Sequence, residues 1–437
     1  MELRPGIPSA ARRGLAGTLG GCLLSAAGLV APADAAAVEL PYARGEDLTI
    51  SLLTVGPGDA VNTFFGHNGF VVEDRSTGTR ALYHYGNFSF GPDMLARYLR
   101  GHLLFSAARV AVAPTVDYYA STDRDVRLAE LRLPAELKLK LARRLEHDIA
   151  PANRDYVYHH YFDNCSTKLR DLVDELLGGA LREALSDPAP LSLREHTRRY
   201  AQVNPVVDLA LLLWMNDDME QPIERWHETF LPDVLEARWA EFRYSGDDGR
   251  EVPLLGPSRT LFASSRPRAP ERPAPILPWV LLASLSFSGS ALVAARLAAR
   301  RADARAPRIV VGLHHAVAGL VLGVPGTLGF LMAFFTEHTV THANENLLFC
   351  NALTLVALPL GIGAAFGSAR ATRWLAYVWV PLAAGGALAV ACKVLPAFDQ
   401  ANAVPIALVV PVNWALAAVA VASRRRQSAA PVGSASR

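Results

Sequence analysis

The sequence predicts an exported α+β domain followed by an all-α membrane domain of five helices. Three observations support this prediction. The first residues have the layout of an export signal, nearly all Asp and Glu lie before residue 273, and five apolar segments follow that position. The net charge of the 437-residue chain is only +2, so the composition gives no indication of nucleic-acid binding.

Residues 1–36 predict a signal peptide. Three arginines precede the apolar stretch 14–30, and Ala33-Asp34-Ala35 offers a cleavage site of small residues. Two alternatives remain open. The segment would serve as an uncleaved membrane anchor, or Cys22, in the run Leu19-Gly20-Gly21-Cys22, would be lipidated after lipoprotein-type cleavage. All three interpretations export residues 37–270.

Residues 37–255 predict an α+β domain. Apolar or alternating runs separated by Gly, Ser and Thr turns predict strands at residues 48–55, 68–74, 80–85 and 126–133. Helical spacing of apolar residues predicts helices at 135–150 and 166–177, and residues 205–243 are expected to be largely helical. Residues 256–275 are rich in proline and predict a linker into the membrane domain.

Residues 276–422 predict five transmembrane helices, each with about the 20 residues that a helix needs to cross a hydrocarbon core of ~30 Å. The segments are 276–295, 309–335, 347–366, 374–392 and 402–422. Arginines follow the first, third and fifth segments, whereas the other two loops carry only Lys393. This asymmetry predicts a periplasmic N-terminal domain and a cytoplasmic tail of residues 423–437. Five helices exceed what tethering requires, so we expect them to form a groove for lipid chains.

Cys165 is the only cysteine between the export signal and the membrane segments, in a compartment where disulfides are usual. It follows Asn164, where a helix is predicted to begin. The positive end of the helix dipole, with Lys168 and Arg170 nearby, would favour the thiolate. The main-chain N–H groups of the same turn would stabilise an acyl oxyanion. We therefore predict a nucleophile, the alternative being a buried, unreactive cysteine.

A nucleophilic cysteine needs a base that is close in space. His67 lies where a glycine-flanked loop enters a predicted strand, and His84 falls on the next strand. One of them is predicted to be the base and the other its orienting partner or a donor to the substrate. His159 and His160 are expected to flank the site without serving as its base. The alternative is that each is an ordinary surface or core histidine.

The loop of residues 336–346 joins the second and third membrane segments on the outer side. His338 and His342 are four residues apart, a spacing that on a helix would suit a metal with Glu337 or Glu345. The pattern is not a recognised ligand set. We therefore favour recognition of a headgroup or substrate below Cys165, and the remaining alternative is polar residues at a helix end.

Several blocks of the sequence resemble the signature of the Lnb family. In the N-terminal domain they are Gly66-His67, Tyr83-x-Tyr85-Gly86-x-Phe88-x-Phe90 and Asp163-Asn164-Cys165-Ser166-Thr167. In the outer loop, Glu337-His338 is followed by Asn344-x-Asn346-Leu347-Leu348. The family pairs a periplasmic domain with a five-helix membrane domain, and the resemblance covers nearly all of residues 40–422.

The resemblance implies a specific activity. Characterised Lnb members are bacterial lipoprotein N-acyltransferases, which acylate the α-amine at the lipoprotein N-terminus. By this resemblance Cys165 is the nucleophile and His67 its base, whereas His84 is a third catalytic candidate from its position on the next strand alone. The order of His before Cys is also similar to permuted papain-like folds such as lecithin:retinol acyltransferase, which move an acyl chain from phospholipid onto cysteine. Candidate substrate-binding residues are Asn164, Tyr85, His338, Asn344 and Asn346.

The expected partners are thus a phospholipid acyl donor, bacterial lipoproteins and the inner membrane, with no metal, other cofactor or nucleic acid. Two other functions remain open. A thiol hydrolase would cut a peptide, amide or lipid ester through the same Cys165 thioester, with water as the acceptor. A non-enzymatic membrane protein would bind lipoproteins or envelope partners without using the thiol.

Overall fold

The computed structural model describes residues 42–87, 97, 100–246, 249–300 and 305–429. The predicted signal peptide and Cys22 lie outside the described residues, as do Phe88, Phe90 and positions 430–437 of the predicted tail.

An antiparallel sheet of seven strands forms the centre of the N-terminal domain, in the order β6-β4-β3-β2-β1-β5-β9. Its strands are β1 Leu48–Val55, β2 His67–Asp74, β3 Thr79–Asn87, β4 Leu104–Ala111, β5 Val126–Glu130, β6 Asp155–Val157 and β9 Arg259–Phe262. A separate hairpin joins β7 Arg243–Ser245 to β8 Glu251–Pro253. All four predicted strands are present. The predicted linker of residues 256–275 contains β9, which is an edge strand of the sheet.

Eight helices of this domain are described. They are α1 Val112–Ser121, α2 Ala135–Ile149, α3 Cys165–Leu176, α4 Ala180–Ala184, α5 Leu193–Ala201, α6 Pro205–Trp214, α7 Arg225–Glu228 and α8 Pro232–Glu241. The predicted helices correspond to α2, α3 and the series from α6 to α8. The domain is therefore α+β, as the sequence predicts, and the papain-like arrangement implied by the resemblance stays a prediction.

The sheet is covered on both faces because side chains alternate along each strand. On one face, Phe70 of β2 stacks on Trp239 of α8, with ring centroids 6.1 Å apart, and Leu169 of α3 belongs to the same core. On the other face, Val71 packs in a second core with Val112 of α1. This packing fixes the start of α3 against the strands.

Seven helices follow: α9 Leu277–Arg300, α10 Arg305–Val321, α11 Gly323–Phe335, α12 Ala352–Leu355, α13 Ala357–Ala365, α14 Ala369–Cys392 and α15 Ala403–Ala429. Four apolar helices are long enough to cross a membrane, namely Leu277–Arg300, Arg305–Phe335, Ala369–Cys392 and Ala403–Ser428. Four of the five predicted spans are thus found in the described part of the chain.

The predicted span over residues 347–366 is not one continuous helix. A 3-10 turn, Glu345–Leu348, precedes the short apolar helix Ala352–Ala365, which covers only about 21 Å at ~1.5 Å per residue. Asn351 is extended and caps the helix, since its side chain accepts from the N–H of Leu353 at 3.0 Å. Pro359 has no N–H to continue an earlier helical turn. Hydropathy alone reveals neither the break at Asn351 nor the effect of Pro359.

Candidate active site

Cys165 is the first residue of α3, and its neighbours build the helix start. The Oδ1 atom of Asn164 accepts hydrogen bonds from the N–H groups of Ser166 and Thr167, both at 2.9 Å. In return, the Asn164 N–H donates to the Oγ1 atom of Thr167 at 2.7 Å. This reciprocal capping satisfies main-chain groups that the helix itself leaves unpaired. The predicted position of Cys165 in a first helical turn is confirmed.

The thiol lies in a recess of the protein. The Cys165 side chain is partly exposed, and its Sγ atom is 3.9 Å from the Oγ atom of Ser166. Burial raises the pKa of the Cys165 thiol, and the main-chain N–H groups of Asn68, Ser166 and Cys165 itself lower this pKa by less. The helix start alone therefore does not hold the sulfur of Cys165 as a thiolate.

The partners of Lys168 and Arg170 correct the expectation that these two cations favour the thiolate of Cys165. The Nζ atom of Lys168 forms an ion pair with Asp163 at 2.8 Å. Arg170 is buried, and its Nη1 atom donates to the main-chain oxygen of Trp226 at 3.0 Å. Both cations have partners other than the sulfur of Cys165, which helical position alone does not reveal.

The two predicted histidines contact each other across neighbouring strands. The Nε2 atom of His67, at the start of β2, is 3.1 Å from the Nδ1 atom of His84 in β3, with the ring planes at 82°. A β-carbon on Gly86 would lie 2.8 Å from the Cε1 atom of His67, so this glycine makes room for the ring. Among the described residues, the Nδ1 atom of His67 makes no hydrogen bond. One histidine thus orients the other, and one ring nitrogen is left for chemistry.

Asn68 joins the histidine strand to the cysteine helix. Its N–H faces the sulfur of Cys165, and its Oδ1 atom accepts from the Oγ atom of Ser166 at 2.8 Å. Its Nδ2 atom donates to the Oγ1 atom of Thr54 at 3.1 Å. Asn68 is fully buried and follows His67 directly, so these contacts hold the thiol beside the imidazole strand. A polar residue inside an apolar strand was the signal that would have identified Asn68 from the sequence.

Within the described residues, no hydrogen bond joins the sulfur of Cys165 directly to an imidazole. Catalytic contacts in free enzymes are often longer than in substrate complexes. Burial lowers the pKa of His67 well below its ordinary value and that of His84 to about 4. Both rings are therefore neutral near pH 7, the state in which an imidazole can accept a proton.

Two predicted substrate-binding residues have internal partners instead. The Nδ2 atom of Asn164 donates to the main-chain oxygens of His160 at 2.7 Å and Phe230 at 2.9 Å. Since Oδ1 caps α3, the whole amide is occupied, and Asn164 positions the helix. Tyr85 is buried, and its hydroxyl donates to the Oδ2 atom of Asp148 at 2.6 Å. Both side chains thus have structural partners, and their predicted contacts with substrate stay predictions.

The asparagines of the outer loop hold the C-terminal end of α6. The Nδ2 atom of Asn344 donates to the main-chain oxygens of Leu213 at 2.9 Å and Trp214 at 2.8 Å. Asn346 donates to the oxygen of Leu213 at 3.1 Å. The last carbonyls of a helix have no intrahelical partner, so these buried amides cap α6 from the membrane domain. The predicted contact of Asn344 and Asn346 with substrate stays a prediction.

Three further histidines, His159, His160 and His338, lie near the turn that precedes Cys165. His159 stacks on Phe162 with centroids 4.8 Å apart, and the imidazole of His338 is close enough to lower the pKa of His159, which burial lowers most. His160 packs against Phe230, and burial lowers its pKa to about 3. His338 of the outer loop therefore lies near the cysteine turn, where the sequence predicts it, and its role in binding substrate stays a prediction.

Two cavities of about 610 Å³ each open in the membrane domain. One is lined by Tyr377 and Arg424 and the other by Trp374 and Arg370. Both lie toward the helix ends opposite the loop of residues 336–346. The groove for lipid chains expected of the membrane helices stays a prediction.

The Asn164 cap gives a prediction about stability. Asn164→Ala is expected to lower the free energy of unfolding by about 3 kcal/mol or more, because it removes the cap and leaves two buried carbonyls without donors. Asn204→Ala is the matched control, since Asn204 caps α6 in the same way but is exposed, and it should cost about 1 kcal/mol. Urea unfolding of the full chain in detergent, followed by tryptophan fluorescence, measures both. Equal losses would contradict the role given to the Asn164 amide.

Comparisons with known proteins give two family matches. Residues 40–199 match the Lnb N-terminal periplasmic domain, and residues 291–425 match the Lnb transmembrane domain. No curated protein matches the chain. Among solved structures, the type VI secretion system effector TseH is similar at 17% identity, covering 30% of this chain and 78% of TseH, with a TM-score of 0.22. That likeness is too weak to carry an argument.

Proposed function

From the premise that this chain belongs to the Lnb family, and is an inner-membrane protein with a periplasmic N-terminal domain, we propose that it is a cysteine-dependent lipoprotein N-acyltransferase. One observation carries the proposal. Cys165 begins a capped helix beside the N–H of Asn68, and the adjacent His67 is oriented by His84 while one ring nitrogen has no hydrogen bond among the described residues.

In the first half-reaction, the thiol of Cys165 attacks the ester carbonyl of a membrane phospholipid. The S–H proton passes to Nδ1 of His67, and the sulfur forms a bond to the acyl carbon. The main-chain N–H groups of Asn68 and Cys165, which act on the sulfur, stabilise the oxyanion. The C–O ester bond then breaks, His67 returns its proton to the leaving alkoxide, and a lysophospholipid departs from a Cys165 thioester.

In the second half-reaction, the N-terminal amine of a lipoprotein attacks the thioester. His67 takes a proton from the amine, a C–N bond forms, and the C–S bond breaks. The proton returns to the sulfur, so the free thiol is restored and the product is an N-acylated lipoprotein. Both substrates have their acyl chains in the membrane, which explains why the thiol belongs to a domain fixed to membrane helices.

The test is mass spectrometry of a lipoprotein N-terminus in a host that lacks other N-acyltransferases. With this chain present, the lipoprotein should gain the mass of one fatty acyl group on its N-terminal amine. An unchanged acyl count, with the protein present in the membrane, would contradict the proposal.

A second measurement separates acyl transfer from hydrolysis. Purified protein in detergent is given a defined phospholipid, with and without a diacylated lipopeptide. An acyltransferase yields an N-acylated lipopeptide, together with a trapped acyl group on the Cys165 peptide when no acceptor is present. Stoichiometric release of free fatty acid without acylated lipopeptide would favour the thiol hydrolase.

His84 gives a prediction about positioning. His84→Ala is expected to lower kcat by up to about 100-fold with little change in KM, because the ring of His67 loses the partner on Nε2. His84→Asn keeps a hydrogen-bonding side chain and should recover part of kcat. The lipopeptide assay measures both variants. If Asn is no better than Ala, or if KM alone rises, His84 does not orient His67.

A further inference from the structure

Arg124, just before β5, has a buried guanidinium group with unused hydrogen-bonding capacity. Its side chain is only 5% exposed. The Nε atom donates to the main-chain oxygen of Gly56 at 2.9 Å, and the guanidinium lies over the ring of Tyr119, 4.9 Å from its centroid. The buried Nη2 atom has no hydrogen-bond partner among the described residues. A buried cation with an unmade hydrogen bond is costly unless an anion comes to it.

The sheet register places Arg124 beside the candidate active site. Val55 at the end of β1 pairs with His67 at the start of β2, and Gly56, which receives the hydrogen bond from Arg124, directly follows Val55. The charge of Arg124 interacts with both reacting groups. It lowers the pKa of His67, after burial and His84, and it interacts attractively with an ionised Cys165.

Among the described residues, an ionised Cys165 interacts electrostatically with four side chains. They are Tyr119 of α1, Arg124, and Tyr156 and Tyr158 at β6. Burial raises the pKa of Tyr119 to about 12 and raises the pKa values of Tyr156 and Tyr158 as well, so the phenols are neutral. Of these four groups, Arg124 alone carries a full charge at pH 7.

Other titratable groups also interact with Arg124. Tyr118 and Tyr119 of α1 face its guanidinium group, and so does Arg266 from the segment after β9. The charge of Arg266 is balanced elsewhere, since this side chain forms ion pairs with Asp59 and Asp123. Arg124 has no carboxylate partner among the described residues, so its charge is available to an anion in the site.

We propose that Arg124 is the cation that stabilises the thiolate of Cys165. Its Nη2 atom, which has no hydrogen-bond partner among the described residues, donates to the anion in the site. Its charge also keeps His67 neutral before the reaction. The S–H bond breaks, the electron pair stays on sulfur, and the proton goes to Nδ1 of His67. Because Arg124 disfavours a charged imidazole, His67 then releases this proton readily to the leaving alkoxide. The proposal rests on Cys165 being the nucleophile of the proposed function, and it does not depend on the acyl acceptor.

The test measures the pH dependence of Cys165 alkylation by iodoacetamide in the full chain in detergent, followed on the Cys165 peptide by mass spectrometry. Arg124→Gln is expected to raise the alkylation midpoint by about one pH unit or more and to slow alkylation about tenfold below the midpoint. Arg124→Lys retains the charge and should keep most of the wild-type profile. Arg266→Gln is the matched control and should leave the midpoint unchanged, because its charge is already paired.

Arg124→Met covers the case in which the Gln variant does not fold, since it removes the charge together with the unpaired buried donor. An unshifted midpoint in a folded Gln or Met variant would overturn the proposal, and so would an equal shift in the Lys variant. Alkylation needs neither acyl donor nor acceptor. A charge-dependent midpoint in a protein that fails to acylate lipoproteins would therefore support the role of Arg124 while contradicting the acyltransferase.

Discussion

Cys165→Ser is expected to abolish thioester formation and to lower acyl transfer by a factor of about 10³ or more. A hydroxyl ionises far less readily than a thiol, and the recess already raises the pKa of the Cys165 thiol through burial. The neighbouring Ser166 does not replace the thiol, because its hydroxyl donates to the Oδ1 atom of Asn68. The measurement is the rate of acyl transfer from phospholipid to a diacylated lipopeptide, with the acyl-Cys165 peptide followed by mass spectrometry.

Cys392→Ser provides the matched control for this variant. Cys392 is the last residue of α14, in the membrane domain, and like Cys165 it is a free, partly exposed thiol. Its replacement should leave acyl transfer near the wild-type rate. If Cys165→Ser retained more than about a tenth of that rate while remaining folded, covalent catalysis by this sulfur would be wrong. Full biological effect in the variant would favour a protein that binds lipoproteins without acylating them.

His67→Gln is expected to lower kcat/KM by about 10²- to 10⁴-fold, the range for loss of a general base. The glutamine amide can still hydrogen-bond His84, but it cannot take the proton from the thiol or from the attacking amine. Since burial keeps His67 neutral near pH 7, the wild-type ring is ready to accept that proton. The same lipopeptide assay gives kcat and KM, and the fall should be mainly in kcat.

His147→Gln controls for the loss of an imidazole. His147 lies near the end of α2, where its ring nitrogens are 3.1 Å from the Nδ2 atom of Asn153, and it has no contact with Cys165. Its replacement should change kcat/KM less than twofold to threefold, as is usual for an exposed site. An equal loss in the two variants, or wild-type activity in His67→Gln, would remove His67 from the mechanism.

The sequence by itself determined the features whose cause is local. Asn164-Cys165-Ser166-Thr167 contains its own capping box, so the cysteine begins a helix whatever lies around it. Short apolar runs bounded by turn residues predict the strands β1 and β2, and continuous hydropathy identifies four long membrane helices. The motif blocks that carry the family resemblance are likewise short runs of neighbouring residues.

Only the tertiary structure decided the features that depend on distant partners. The register of β2 and β3 brings His67 to His84, Asn68 meets Ser166 from 98 positions away, and Asn344 caps Leu213 from 131 positions away. Burial likewise raises the pKa of the Cys165 thiol, against the lowering expected from the helix dipole. It also leaves the Nη2 atom of Arg124 without a hydrogen-bond partner among the described residues. Local sequence sets capping and periodicity within one turn or strand. Hydrogen-bond partners, burial and the pKa values they set belong to the packed chain, because each requires residues that only folding brings together.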